Sequence, residues 1–398
     1  MSPVNPPPRV LMVCERFEPI VGGLELQALA LAAALTRDGS AVAMITRRFA
    51  GLAPRETIEG VDVQRVRAIN WMGPARMPFA IGQVSFMLAG LWRVWRVARQ
   101  FDLLHVHGLG VFAGPLAWLA RRMGLPSMAT IATTQVGEAG LEGRRFASLR
   151  RALNRQFDLF LAVSGEIEGE LRSDGISPNR IVNLPFFVDQ TRFAPIGAAE
   201  RAALRRQLWA GWPDDAVVFL ALNRLEERKG MHVLVDAVAR LDRSLPWRLA
   251  VAGQGDQRRR LEEAIGAYGL GDRVRLLGTV KDRARHLNAA DVFVLPSRYE
   301  GLPNGVLEAL ASGVAVAVSR IPGTTDIVDD DHAMMAPPDD VAAWATVLDT
   351  LTRSAPLRAR LASSGPDRMR ARFGQVAVLA RYHECCRRLL ADRRGARP

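Results

Sequence analysis

The feature that most constrains the fold is an alternation of short apolar segments with helical patterns that runs through the chain twice. In the first half, strands are predicted near Arg9–Cys14, Ala41–Thr46, Val61–Arg65, Leu103–His107, Ser127–Ala132 and Leu159–Val163, with helices near Leu24–Leu35, Ile81–Arg99 and Phe112–Arg122. In the second, strands near Val217–Leu222, Arg248–Ala252, Val274–Leu277, Val292–Leu295 and Val314–Ala317 alternate with helices after Lys229, Asp256, Asp282, Asn304 and Thr324. Such alternation builds a parallel sheet covered on both faces, and its recurrence builds two doubly wound domains. The 398 residues, 49% hydrophobic and 24% charged, suffice for two cores. The crossover is expected near Asp189–Pro195, giving domains 1–190 and 191–375. An Arg-rich helix near Val376–Arg388, within a last segment 376–398, is expected to return to the first domain.

Chemistry concentrates in Ser297-Arg-Tyr-Glu300-Gly-Leu-Pro-Asn304-Gly-Val-Leu-Glu308, downstream of the predicted strand Asp291–Pro296. Glu300 falls on a loop and Glu308 one turn into a helix. A carboxylate accepts paired hydrogen bonds from vicinal hydroxyls. The free N–H groups of a helix start attract phosphate where Gly301 and Gly305 let it approach. A second strand-to-helix turn, Asn223-Arg224-Leu-Glu-Glu-Arg-Lys229-Gly230, sets a guanidinium and an ammonium five residues apart. Together they can neutralise a diphosphate and the charge that grows on it as it leaves. Hydroxyls plus diphosphate describe a sugar nucleotide.

These blocks make the chain resemble the GT4-type retaining glycosyltransferases of GT-B fold. The likeness also runs through Glu18-Pro-Ile-Val-Gly22-Gly23-Leu-Glu25, Asp102-Leu-Leu-His105-Val-His107-Gly108, Leu161-Ala-Val-Ser164, Gly253-Gln-Gly255 and Val274–Gly278. It implies two Rossmann-like domains facing each other across a cleft, and transfer of a sugar, with retention of anomeric configuration, from a nucleotide diphosphate sugar to a hydroxyl acceptor. By that likeness Gly22 and Gly23 approach the diphosphate, Arg224 and Lys229 bind it, Glu300 faces the donor sugar and Glu308 holds the ribose hydroxyls. The donor set extends through Gly253, Gly255, Val280, Gly301, Leu302, Asn304 and Gly305. The resemblance also implies that the departing phosphate helps to take the acceptor's proton. Two segments leave the family pattern: Ile131-Ala-Thr133-Thr134, where many relatives place a histidine, and Phe186-Phe187 before Val188-Asp189.

His105 and His107 alternate along one strand and are expected to point one toward each sheet face, with His107 the better placed to line a cleft as a catalytic residue. Ser164, Asp291 and Asn304 read first as structural or loop-shaping residues. Asp214-Asp215, Asp329–Asp331 and Asp339-Asp340 read as turns and no Asp-x-Asp pair is placed for a divalent ion, so no metal or other cofactor is expected. The rival readings are an oxidoreductase, whose tight G-x-G-x-x-G turn is missing after the first strand, a sugar-nucleotide epimerase or hydrolase, and a non-catalytic sugar-nucleotide binder.

Three cysteines, Cys14 and the adjacent Cys385-Cys386, give neither a disulfide framework nor a metal set. No apolar run precedes Val10, and a cytoplasmic location is expected, either free or peripheral on the inner face of the membrane. The net charge of +12 is spread as twelve Arg against three acidic residues from Arg353 onward, and as a cluster of Arg144, Arg145, Arg150, Arg151 and Arg155. With few aromatics interleaved, this favours an anionic membrane surface or a phosphate-bearing lipid carrier over nucleic acid as the partner, and with it a lipid-linked or cell-surface glycan as the acceptor. Met77–Val97 is apolar and carries Trp92 and Trp95 beside Arg93, Arg96 and Arg99. It falls short of the ~20 clean apolar residues of a spanning helix and reads equally as interfacial or as a core helix with an arginine edge.

Overall fold

The computed structural model describes residues 7–19, 22–70, 76–132, 152 and 155–395. The chain divides into two compact units, Met1–Pro185 with Val378–Pro398, and Phe186–Ala377.

The first unit is built on an eight-stranded sheet: β1 (Val10–Cys14), β2 (Val42–Arg48), β3 (Arg55–Ile58), β4 (Val61–Arg67), β5 (Leu103–His107), β6 (Ser127–Ile131), β7 (Leu159–Ala162) and β8 (Ile181–Asn183), in the order β3-β4-β2-β1-β5-β6-β7-β8. Every pairing is parallel except β3 with β4. That antiparallel hairpin was not anticipated. It turns on Glu59-Gly60, both with positive φ (48° and 83°), the backbone that matches strand twist in a tight hairpin. β1 and β5 are buried along their whole length, as the central strands of a sheet covered on both faces must be. Helices Gly23–Arg37, Arg76–Val97, Ala113–Arg122 and Gly165–Ser173 connect them.

The terminal helix Gln375–Gly395 belongs to this unit from Val378 onward. Fully buried Tyr382 meets His105 (Oη to Nδ1, 3.1 Å), His383 Nε2 lies 2.7 Å from Asp38 Oδ2, and Arg381 and Arg388 donate to the carbonyls of Asn183 and Asn179.

The second unit carries an all-parallel sheet of β9 (Val217–Leu222), β10 (Trp247–Ala252), β11 (Val274–Gly278), β12 (Val292–Leu295), β13 (Ala315–Ser319) and β14 (Met334–Ala336), ordered β11-β10-β9-β12-β13-β14. Its core joins Phe219, Trp247, Val294 and Trp344, all fully buried. Asp291 anchors the strand starts by accepting from Val218 N–H (2.8 Å) and pairing with Arg201 and Arg205. The helix expected after Thr324 ends there instead: Pro322 starts a one-turn helix, Pro322–Thr325, because its fixed φ suits the first helical position. Helices Ala198–Leu208, Val341–Arg353 and Ala355–Phe373 complete the unit, the second capped by Asp340 accepting from Ala343 N–H.

Each sheet has one place where its strand order reverses. In the first it lies between β1 and β5, in the second between β9 and β12. The crevice outside the carboxyl ends of such a strand pair is where open α/β sheets bind ligands.

Candidate active site

In the second unit, the loops leaving β9 and β12 are forced together by backbone crossings. Gly253 (φ 152°) has Asn223 O only 1.7 Å from where a Cβ would stand, and Gly255 has Leu225 O at 2.3 Å. Leu225 N–H donates to Gln254 O (2.9 Å) and Gln257 N–H to Leu225 O (3.0 Å), so the turn after β10 clamps the turn after β9. The β9 turn ends at Gly230 (φ 67°), whose missing Cβ would lie 2.0 Å from Pro296 O in the loop after β12. None of the three positions has room for a side chain.

That crossing sets the charges. Lys229 Nζ donates to Glu300 Oε1 at 2.5 Å, and Ser297 Oγ donates to the same oxygen at 2.7 Å. Arg228 Nη1 stands 3.7 Å from Glu300 Oε2, donates through Nε to Glu226 Oε2 (2.9 Å), and lies over the Tyr299 ring. Arg224 pairs with the other Glu226 oxygen at 2.8 Å. The result is a chain of three cations and two carboxylates, Arg224–Glu226–Arg228–Glu300–Lys229, at the switch point of the sheet. Lys229 and Glu300 are almost buried, with side chains 12% and 8% exposed, whereas that of Arg224 is 59% exposed. Burial pulls the Lys229 ammonium below its ordinary range, and the Glu300 charge opposes that pull.

Glu308 sits on the helix Asn304–Ala311, which begins directly after this loop. Gly305 is pressed against the Phe293 ring, where a Cβ would meet Cζ at 2.8 Å. Arg283, first residue of the helix Arg283–Ala289 that Asp282 caps, reaches across to Glu308 Oε2 with Nε (2.7 Å) and Nη2 (2.6 Å). Burial raises the Glu308 carboxyl above its ordinary value, and Arg283 partly offsets the shift.

Gly323 brings the helix Pro322–Thr325 against the Glu300 backbone, its absent Cβ 2.3 Å from Glu300 O. Leu302 is buried beneath the loop, Gly301 and Asn304 are half-buried along it, and Val280 is half-buried just past the end of β11.

The sequence-predicted residues of the first unit gather at its own switch point. Gly22 precedes the helix Gly23–Arg37 and donates its N–H to Glu25 Oε2 (2.8 Å). His107 ends β5, and Gly108 beside it (φ 86°) faces Leu24, with a Cβ there 3.5 Å from Leu24 Cδ2. His105 and His107 do not point to opposite faces. Their rings lie 4.1 Å apart on one face, because strand side chains repeat every second residue. His105 is tied to Thr130 Oγ1 (2.8 Å) and Tyr382, whereas both ring nitrogens of buried His107 lack a hydrogen-bond partner among the described residues. Burial drops the His107 imidazole to about 3, so it is neutral at neutral pH. Thr133, Thr134, Arg144, Arg145, Arg150 and Arg151 lie outside the described residues.

Three participants escaped the sequence reading: Arg228, Ser297 and Arg283. Arg228 stands next to Lys229, but its approach to Glu300 depends on the Gly230–Pro296 crossing, whereas Ser297 reaches Glu300 from three residues upstream in the same loop. Arg283 lies 25 positions from Glu308, on another helix. Among the described residues no cluster of His, Cys, Asp and Glu is arranged to hold a metal ion.

Residues 216–354 match the model of the family "Glycosyl transferases group 1", and residues 22–186 match that of the "Glycosyl transferase 4-like domain". A D-inositol 3-phosphate glycosyltransferase of Kineococcus radiotolerans is 30% identical over 95% of this chain and 93% of its own length. The chain belongs to the group 1, GT4-type glycosyltransferases. It is an enzyme of that family with the GT-B fold: a sucrose-phosphate synthase from Thermosynechococcus elongatus superposes with a TM-score of 0.82 over 97% of this chain and 100% of its own, at 22% identity. HepE of Anabaena, solved in complex with UDP-glucose, superposes with a TM-score of 0.77 over 95% and 99% of the two chains, at 19% identity. The transferase places its buried carboxylate–ammonium pair in the matched segment 216–354.

Proposed function

We propose that this transferase moves a sugar from a nucleotide diphosphate sugar to a hydroxyl acceptor on a lipid-linked or cell-surface glycan, with retention of anomeric configuration. The observation that carries the reading is the Lys229–Glu300 pair with Arg228 and Arg224 beside it at the β9/β12 switch point. A buried ammonium whose hydrogen-bonded anion is a single carboxylate is prepared to exchange it for another anion. A donor diphosphate supplies one. When it binds, Lys229 and Arg224 turn to the phosphates and Glu300 becomes free to accept from hydroxyls of the donor sugar. Glu308, held on its helix by Arg283, presents its other oxygen to the ribose. The free N–H groups at the start of the helix Asn304–Ala311 add positive potential toward the phosphates.

In the transfer step the bond from the anomeric carbon to the diphosphate oxygen breaks, and the pair of electrons leaves with the phosphate. The acceptor oxygen forms the new bond on the same face, and its proton passes to the departing phosphate. Arg224 and Lys229, once turned to the phosphates, stabilise the charge that develops, and this selective stabilisation of the transition state is what lowers the barrier. His107, neutral and without a hydrogen-bond partner among the described residues, is positioned in the first unit to meet an acceptor or sugar hydroxyl. The UDP-glucose held by HepE supports the donor class, and the relatives named as lipopolysaccharide core glycosyltransferases of Rhizobium meliloti, 34% and 30% identical over 43% and 51% of this chain, support the acceptor class.

A thermal-shift screen with UDP, GDP and ADP and their sugars identifies the donor, since a ligand of the native state raises the melting temperature by mass action. With that donor, Arg224→Ala and Lys229→Ala should each lower kcat/KM by the equivalent of about 2–4 kcal/mol. Near-wild-type transfer by both variants overturns the diphosphate assignment.

A further inference from the structure

The helix Arg76–Val97 keeps one face in the first unit's core, with Phe86 and Val94 fully buried, and turns the other outward. On that outer face Ile81, Val84, Leu88, Trp92 and Trp95 are 43–58% exposed and recur at spacings of three and four, forming one continuous apolar stripe. A soluble surface seldom leaves five large apolar side chains aligned without a partner. The helix has no acidic residue, and Arg93, Arg96 and Arg99 flank the tryptophans. The Arg96 guanidinium lies 4.7 Å over the Trp92 ring.

At the tryptophan end of the stripe a cavity of about 430 Å³ opens, lined by Arg55, Arg65, Arg67, Arg93, Ala89 and Trp92 among others. Two of these arginines are already neutralised, Arg55 by Asp62 and Arg65 by Glu56. Arg93 donates to the neutral Gln64 side chain (2.8 Å) and shares the field of Asp62 with Arg55, and Arg67 has no carboxylate partner among the described residues. Buried Arg65 also leaves its Nε without a partner. The lining thus sets four arginines, Arg55, Arg65, Arg67 and Arg93, against the two carboxylates of Asp62 and Glu56, beside an exposed tryptophan. That combination fits a phosphate attached to something apolar.

We propose that this surface docks the transferase on an anionic lipid bilayer, with the stripe Ile81–Trp95 inserted at the headgroup boundary and a lipid phosphate held in the cavity by Arg67 and Arg93. Tryptophan is the residue that settles best at such a boundary, and arginine stems extend along apolar surface while their heads reach phosphates. A second copy of the chain is a poorer occupant, because it would bring Arg93, Arg96 and Arg99 against their own images with no acid on the helix to receive them. Among the described residues no helix is long and apolar enough to cross a membrane, so the contact is peripheral. The surface lies wholly in the first unit and is independent of the donor reading above.

The test is co-sedimentation of the full chain with vesicles of phosphatidylcholine alone or mixed with phosphatidylglycerol, at low and high salt, with an analytical ultracentrifugation run in the absence of lipid. Wild type should bind the mixed vesicles, more weakly at high salt. Arg67→Gln with Arg93→Gln should weaken binding about 30-fold at low salt, each cation near an anionic surface being worth roughly a factor of five. Trp92→Ala with Trp95→Ala, both exposed and so tolerated by the fold, should abolish the salt-resistant remainder. The proposal is overturned if wild type stays in the supernatant with every vesicle, if both double variants bind like wild type, or if the chain self-associates in solution and the tryptophan variant does not, which would make the stripe a dimer face.

Discussion

Replacing Lys229 by Met tests whether the buried pair is the device that holds the site in readiness for a phosphate. At 2.5 Å, an effective dielectric of about 20 gives a gross attraction of roughly 7 kcal/mol. Desolvation of the ammonium, which lowers its proton affinity, takes back much of this. Loss of one member of a buried pair, leaving the other charge uncompensated, typically costs about 3–5 kcal/mol. Glu300 would retain only the Ser297 hydroxyl and the distant Arg228, so Lys229→Met should cost about 3 kcal/mol. Glu300→Gln should cost somewhat less, since the Lys229 ammonium keeps part of its hydration and can shed its proton.

The double variant removes both charges. It should therefore cost less than the sum of the two, by about 2 kcal/mol, within the range found for residues in direct contact. Hydrogen exchange followed by mass spectrometry, read on the slowest amides of β9 and β12, measures opening of the second unit without interference from the first. If the two losses add to within ~0.5 kcal/mol, Lys229 and Glu300 are not energetically paired, and exchange of Glu300 for a phosphate cannot be the way the donor is admitted.

The two glutamates should fail differently in calorimetry with the bare nucleoside diphosphate: Glu308→Gln weakens binding by about 1–3 kcal/mol through loss of a charged acceptor, while Glu300→Gln binds it at least as well as wild type, because Lys229 is released, yet transfers poorly. Equal weakening by both would remove the division of labour. The His107 imidazole, depressed to about 3 from 6.5, takes up its proton more readily in the unfolded chain, so stability should fall as pH drops below 6.5 and continue to fall toward 3. At pH 5 the contribution is roughly 2 kcal/mol, and denaturant titrations should show the acid limb flattened by that amount in His107→Gln. Gly230→Ala, at φ 67° and facing Pro296 O, should lose at least about 1–3 kcal/mol of stability and also depress transfer, since the crossing that seats Lys229 beside Glu300 must open. Undiminished transfer in that variant would show the crossing to be incidental.

What the sequence disclosed and what it hid divide along physical lines. The runs Val217–Leu222 and Val292–Leu295 are apolar throughout because parallel strands are buried on both faces. Their alternation with helices therefore shows the doubly wound sheets directly, and with them the strand ends where ligand-binding groups belong. Arg224, Lys229 and Glu300 were legible for that reason: each follows such a strand within a few residues. The hairpin of β3 with β4 was hidden because Arg55–Ile58 is polar and exposed, so no apolar rhythm announces it. His105 and His107 share a face by the period-two rule itself, since residues two apart on a strand point the same way.

The ionic partners were hidden for a deeper reason. Whether Glu308 is free or bound depends on Arg283, and whether Lys229 is a bare cation depends on a glycine–carbonyl contact between two separate loops. Sequence spacing measures distance along the chain, and these contacts are made across it. Gly253 and Gly255 show the same limit from the other side. The resemblance assigned them to the donor, yet the direction of each missing side chain is occupied by the backbone at Asn223 and Leu225. Their glycines are required by the fold of the Arg224 turn whether or not a phosphate also approaches. On the proposed reading a substitution there would weaken donor binding by displacing Arg224, and loss of binding alone could not be taken as evidence of contact.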